Sequence, residues 1–343
     1  MAGRGSVFSN PRVLSLARSF VPAADEVWRL QRGEDADCRF FQRAVNGGEP
    51  ITDKGTRQGI WVFAPSGKLL AKVNSNRAEV VADMLERGLA AWEELPPEER
   101  RLAEDAELEP AFRWEHNYPE GGLVLERTAR DLRGDFDSGF GADSKPSGRF
   151  NRDFAWFTAE EARAWLPAHP VVGAKQPVPT ELVARLARFH LVDNARGQTL
   201  PYAPEEIREA SMVVEVVARE GTTVELELSG ETEMVAEGPW LLGENLWKPK
   251  QELARGIATT LTGRATFDLE TGAFTSFEAI AFGRRWGRSP MNGRGRDASP
   301  SVVGFHLGLA PRSHRIAPTF LSLYDADWVR KPEGWADHSE NRP

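Results

Sequence analysis

The densest group of chemically capable side chains in this sequence is His190, Asp193, Asn194 and Arg196. A histidine titrates near neutrality, and a carboxylate within reach can orient its ring for proton transfer. On this reading His190 and Asp193 are an acid–base pair, while Asn194 and Arg196 hold a ligand, Arg196 through its charge. The competing reading is structural: His190 completes an apolar helix face, and the residues Asp193–Gly197 make a turn, for which Asn and Gly are suited. A second group runs from Arg284-Arg285-Trp286-Gly287-Arg288 to Arg294-Gly295-Arg296-Asp297, with five arginines in thirteen residues. Arg284 and Arg285 are candidates for binding phosphate or carboxylate, and Trp286 for stacking on a ring. Its competing reading is a solvated loop that follows a strand.

Other chemistry finds little support. His116, His169, His190, His306, His314 and His338 form no His-x-x-x-His array, so no metal is expected. Neither a phosphate-binding Gly-rich loop nor a nucleophile elbow is present, and no cofactor is expected. Cys38 is the single cysteine. With no histidine or second cysteine near it, it reads as a small apolar residue on a helix face.

The charge balance narrows the partners. A net charge of −8 argues against nucleic acid, which needs a basic face. A small molecule or a protein remains as the partner, with the oligomeric state open. No apolar run approaches the roughly 20 residues of a membrane span, and the first residues lack a secretory core, so a soluble, cytoplasmic protein is expected.

Among the elements that must position these residues, the best defined lies near the N-terminus. Asn10-Pro11 opens a helix with Val13, Leu14 and Ala17 on its apolar face. Phe20–Ala24 reads as a short strand, Asp35–Val45 as a helix, and Gly59–Ala64 and Leu69–Val73 as a hairpin turning at Pro65–Lys68. Asn76 and Glu79 are spaced like a capping box for a helix bearing Val80, Val81, Met84, Leu85, Leu89 and Trp92. Phe8-Ser9-Asn10-Pro11, Val13, Phe20-Val21-Pro22, and Gly59, Val62, Pro65 and Gly67 resemble the thioredoxin-like fold over Val7–Leu95. The resemblance implies a sheet with helices on both faces and a last helix across it. It does not extend to the chemistry: no Cys-x-x-Cys precedes the first helix, and Arg57-Gln58-Gly59 stands where that family carries a cis-proline.

Residues 96–110 are acidic and bracketed by proline, which marks a linker. Beyond it, Gly121–Thr128 reads as a strand. Thr158-Ala159-Glu160-Glu161 is a capping box, with Ala162, Trp165 and Leu166 inward. Thr180–His190 is a helix with Leu182, Val183, Leu186, Phe189 and His190 on one arc. Met212–Val217 with Thr223–Leu228, and Ile257–Phe267 with Phe274–Phe282, alternate as antiparallel pairs, and Ser301–Leu309 adds a strand.

The expected fold class is therefore α+β. A degenerate thioredoxin-like α/β domain (1–95) is followed, after a linker (96–110), by a mainly antiparallel β domain (111–325). That domain curls into a barrel or half-barrel with two short helices at its entrance, and residues 326–343 form a polar tail. The leading expectation is a non-redox thioredoxin-like protein whose β-rich domain binds a ligand or partner. The alternative is an enzyme acting on a small anionic substrate by His/Asp acid–base chemistry in the β-rich domain. The alternative requires His190, Asp193 and an arginine of 284–296 to converge.

Overall fold

The computed structural model describes residues 7–8, 10–23, 27–47, 57–75, 77–102, 118–132, 150–197, 199–238, 253–289, 292–294 and 298–316. The chain divides into two compact units, Ala2–Phe112 and Arg113–Pro343.

The first unit is built on a hairpin. Its elements are α1 (Pro11–Ala17), α2 (Val27–Arg32), α3 (Ala36–Val45), β1 (Ile60–Phe63), β2 (Leu69–Val73) and α4 (Ala78–Glu93). Asn10 caps α1, its side-chain oxygen accepting from the Arg12 and Val13 N–H groups, and Asp35 caps α3 in the same way. β1 and β2 pair antiparallel, with Ile60 opposite Val73. Successive β1 residues face opposite sides. Trp61 and Phe63 meet Phe41 edge-on, at ring centroid distances of 6.0 and 6.4 Å. Val62 lies against α4, where Gly88 makes room for it: a Cβ at Gly88 would come within 3.1 Å of the Val62 side chain. On the solvent side, Arg12 of α1 bonds Glu79, Asp83 and Glu86 along one face of α4 at 2.8, 2.9 and 2.9 Å.

Several expectations for this unit need correction. Phe20–Ala23 is not a strand but turn and irregular chain, with Val21 97% exposed. Pro22 has no N–H to give a ladder, and among the described residues no neighbouring strand covers Val21. The helix expected to begin at Asn76 starts at Ala78 with Arg77 at its cap and no side-chain cap bond; Asn76 lies outside the described residues. The start of the expected linker folds back onto α4, where Arg100 donates to the carbonyls of Leu95 and Glu93 at 3.0 and 2.7 Å. The Glu93 carbonyl ends α4, where the last turn lacks N–H partners of its own, and Leu95 lies just past the cap. Residues 103–110 are outside the described set, as is the tail.

The second unit holds β3 (Leu123–Asp131), β4 (Phe150–Phe157), α5 (Ala159–Arg163), β5 (Lys175–Pro177), α6 (Thr180–His190), β6 (Ile207–Glu220), β7 (Thr223–Ala236), β8 (Arg255–Asp268), β9 (Ala273–Gly287) and β10 (Ser301–Leu309). They form one eight-stranded sheet in the order β4-β3-β10-β9-β8-β7-β6-β5, antiparallel throughout. The expected barrel is not formed: the sheet is open, with β4 and β5 as its edges. Two features prevent closure. β5 is only three residues long and ends in proline, which cannot donate to a further strand. In addition, α6 packs on β4 at one edge and on β6 and β7 near the other. With strands about 4.8 Å apart, β4 and β6 would lie roughly 29 Å apart in a flat sheet, far more than the about 10–12 Å diameter of a helix. The sheet therefore bends around α6. The helix is not at an entrance but against the inner face, with Leu182, Val183, Leu186, Ala187 and Phe189 in the core.

Candidate functional site

Alternation along the strands sorts side chains to two faces. On β9, Phe277, Ala279, Ala281, Gly283 and Arg285 are buried, while Glu278, Ile280 and Arg284 are exposed. The inner face is apolar at one end, where Trp165 packs edge-on against Phe157, Phe274 and Phe277. At the other end it is polar, and nearly every candidate residue on it joins one hydrogen-bonded network.

Two arms of that network meet at the segment following α6. In the first arm, His190 closes α6 at 3% exposure, with its Nδ1 3.3 Å from Asp153 Oδ2 on β4. Arg127 of β3 donates to the same Asp153 oxygen at 3.3 Å and to Asn194 Oδ1 at 3.0 Å. Asn151 Nδ2 donates to the backbone carbonyl of Asn194 at 3.1 Å. The Trp156 ring stands edge-on to the imidazole, 6.0 Å between centroids. Burial depresses the His190 pKa; the bond to Asp153 opposes that without reversing it, and nearby Arg127 and Arg185 add to the depression. His190 is thus neutral at pH 7. Burial likewise depresses Arg127, countered by Asp153.

In the second arm, Arg285 of β9 bridges two carboxylates. It donates to Asp193 Oδ1 at 2.5 Å and to Asp131 Oδ1, while its Nε reaches Ser301 at 3.1 Å. Arg196, with its side chain 21% exposed, holds the other Asp131 oxygen at 2.7 Å. Asn292 donates to Asp193 Oδ2 at 3.3 Å, and Arg294 stands 3.5 Å from the same oxygen. Beside this arm, Arg255 donates to Thr199, Leu200 and Pro201 and stacks on Tyr202 at 4.1 Å; burial pushes the Tyr202 phenol up to about 12.

The candidates therefore separate. His190, Asp193, Asn194, Arg196 and Arg285 share the network, but the carboxylate at His190 is Asp153, and Asp193 serves Arg285 instead. Arg284 and Trp286 do not join it. They belong to β9 rather than to a loop, on the outer face. The Trp286 ring lies across Gly256, where a Cβ would come within 2.0 Å of it, so no side chain other than hydrogen fits opposite that ring. Arg296 is outside the described residues. Arg294, one of the arginines of the second group, does join the network, whereas sequence reasoning missed Arg127, Asp131, Asn151, Asp153 and Asn292; all six are buried.

A groove of about 500 Å³ lies on the opposite, outer face, lined in part by Lys175, Glu215, Glu227 and Arg264. These pair as Lys175–Glu215 and Arg264–Glu227, each at 3.0 Å, in solvent-exposed positions where ion pairs contribute little. Among the described residues no group of three or more His, Cys, Asp or Glu side chains is placed to hold a metal ion. No helix of the described residues is long and apolar enough to cross a membrane. No protein-family model matches the chain, and no curated protein or solved structure shows significant similarity to it.

Proposed function

We propose that the second unit is an enzyme domain acting on a small anionic substrate by proton transfer at His190, with Asp153 as the orienting carboxylate. The observation that carries this reading is the buried His190–Asp153 contact within a polar network that also contains Arg127, Arg196, Arg285 and Arg294. A neutral imidazole whose Nδ1–H points at Asp153 offers its Nε2 lone pair as a base, and the resulting imidazolium is stabilised by the carboxylate. Arg127, Arg196, Arg285 and Arg294 supply the kind of positive charge that an anionic substrate calls for.

The depletion of compounds from a small-molecule extract, followed by mass spectrometry, tests the reading. Wild type is expected to deplete an anionic compound, and His190→Gln and Asp153→Asn to lose that ability while remaining folded at the assay temperature, as circular dichroism would show. Equal depletion by wild type and His190→Gln would end the proposal. A second reading, binding without turnover, draws on how deeply His190 is buried; it predicts co-purification of a compound that wild type never converts. For the first unit we propose a non-redox role, because the thioredoxin-like resemblance lacks the Cys-x-x-Cys pair and the cis-proline on which that chemistry depends. In support, Cys38 is buried, and its thiol donates to the Asp35 carboxylate at 3.2 Å, an acidic neighbour that disfavours a thiolate.

A further inference from the structure

We infer that the group on which His190 acts is a hydroxyl oxygen, held between Arg127, Asn194 and Asn151; the inference rests on the acid–base reading above. Arg127 Nε, Asn194 Nδ2 and Asn151 Oδ1 are buried and take no hydrogen bond from the described residues. Their side chains are already tied together, since Arg127 bonds Asn194 Oδ1 and the backbone carbonyl of Asn151, at 3.0 and 3.4 Å. Those bonds also fix which way each amide points. Asn194 must present its oxygen to Arg127, leaving its Nδ2–H outward. Asn151 must give its Nδ2–H to the Asn194 carbonyl, leaving its oxygen.

The result is two donors and one acceptor on residues that share partners with the His190–Asp153 pair. Buried polar atoms in native proteins are almost always satisfied, so three in one network define the chemistry of what meets them. A carboxylate has no hydrogen to give Asn151, and an ammonium has no lone pair for Arg127 or Asn194. A hydroxyl has both: its lone pairs accept from Arg127 and Asn194, and its hydrogen goes to Asn151 or to His190 Nε2. Proton transfer then breaks the O–H bond and forms an Nε2–H bond. The electron pair stays on the oxygen, facing the Arg127 and Asn194 donors, while Asp153 balances the imidazolium. The oxygen has two sources, an ordered water or the hydroxyl of a substrate, and the chemistry that binds it is the same. Water makes the reaction a hydrolysis or hydration, and a substrate hydroxyl makes it the transfer of a group onto that oxygen.

A crystal structure of the full chain, grown without polyols and refined where waters are visible, tests this alongside native mass spectrometry of the same preparation. An isolated oxygen peak bonded to at least two of the three atoms supports the inference with water as the source. Connected density there, with a mass above that of the chain, supports it with a substrate hydroxyl. No peak, or one touching fewer than two of the three atoms, overturns it. Asn194→Ala is expected to lose the peak and to slow any depletion activity about 100-fold, as for loss of one oxyanion donor. A retained peak together with an unchanged depletion rate in that variant also overturns it. The two readings fail separately: a peak with full activity in His190→Gln removes the acid–base role alone, and no peak with an inactive His190→Gln removes the hydroxyl alone.

Discussion

The two ends of the inner face are built on opposite principles. At the apolar end, Phe267, Phe274, Phe277 and Trp165 pack ring against ring. Its stability follows from area removed from water and from close packing. At the polar end, Arg285, Asp131 and Asp193 are all but buried, and taking charges out of water costs much of what their attraction returns. A chain that needed only a core would do as well with apolar residues there. That it places an ionic network on the same strands is the physical reason to look for function at that end.

The comparison can be broken by substitutions at each end. Arg285→Ala leaves Asp131 and Asp193 without their shared bridge, and a loss of about 3–5 kcal/mol in urea unfolding is expected. Trp165→Ala, at the other end, should cost a similar 3–5 kcal/mol through the cavity it opens. If Arg285→Ala costs under about 1 kcal/mol, the network is not the buried structure described. Near neutral pH, above the carboxylate range, the pH dependence should come chiefly from the polar end. The folded-state pKa of His190 is depressed, so the unfolded chain binds the extra proton, and stability holds above the ordinary histidine pKa of about 6.5. Stability then falls as pH drops below that value, by up to about 1.4 kcal/mol per pH unit for this one group. Unfolding midpoints at pH 7.5 and 5.5 should converge in His190→Gln; an unchanged slope would remove His190 as the cause.

A finer contrast comes from Thr232 and Thr259, whose buried hydroxyls bond each other at 2.7 Å. Thr259→Val alone should cost about 1–2 kcal/mol by stranding its partner, and adding Thr232→Val should recover most of it. Simple additivity would show that the pair is solvated. Arg264→Ala on the exposed outer face should stay within about 0.5 kcal/mol, and a larger effect there would mean the outer groove is structural.

Much of the second unit is legible in the sequence because its signals are local. Thr158 and Glu161 form their reciprocal cap, and Thr180–His190 is helical over the residues its periodicity marks. β4 is different. Asn151, Asp153, Ala155 and Phe157 are buried, but so are Phe154 and Trp156, the last two beneath Tyr118 at 6.1 and 5.5 Å. A strand covered on both faces shows no alternation, so β4 escapes a reading based on period, and Asp153 with it. Proximity in sequence then points to Asp193 as the partner of His190. The chain leaves helical geometry at Leu191, with φ −97° and ψ 51°, and that turn carries Asp193 to Arg285. For Arg284 and Arg285 the error is one of counting: neighbours on a strand face opposite ways, so one cluster in sequence becomes two in space.

The bend of the sheet around α6 also bears on the order of assembly. β6 with β7, and β8 with β9, form hairpins whose partners are near in sequence, and such contacts close early and at low entropic cost. The ionic end draws on distant segments, since Arg285 meets Asp193 across 92 positions and Asp131 across 154. The apolar meander is therefore expected to form in the folding transition state, with the ionic end locking afterwards. In a chevron experiment Arg285→Ala should then mainly speed unfolding, while Phe274→Ala should mainly slow folding. The end of the sheet that carries the candidate chemistry would be the last to close and the first to open.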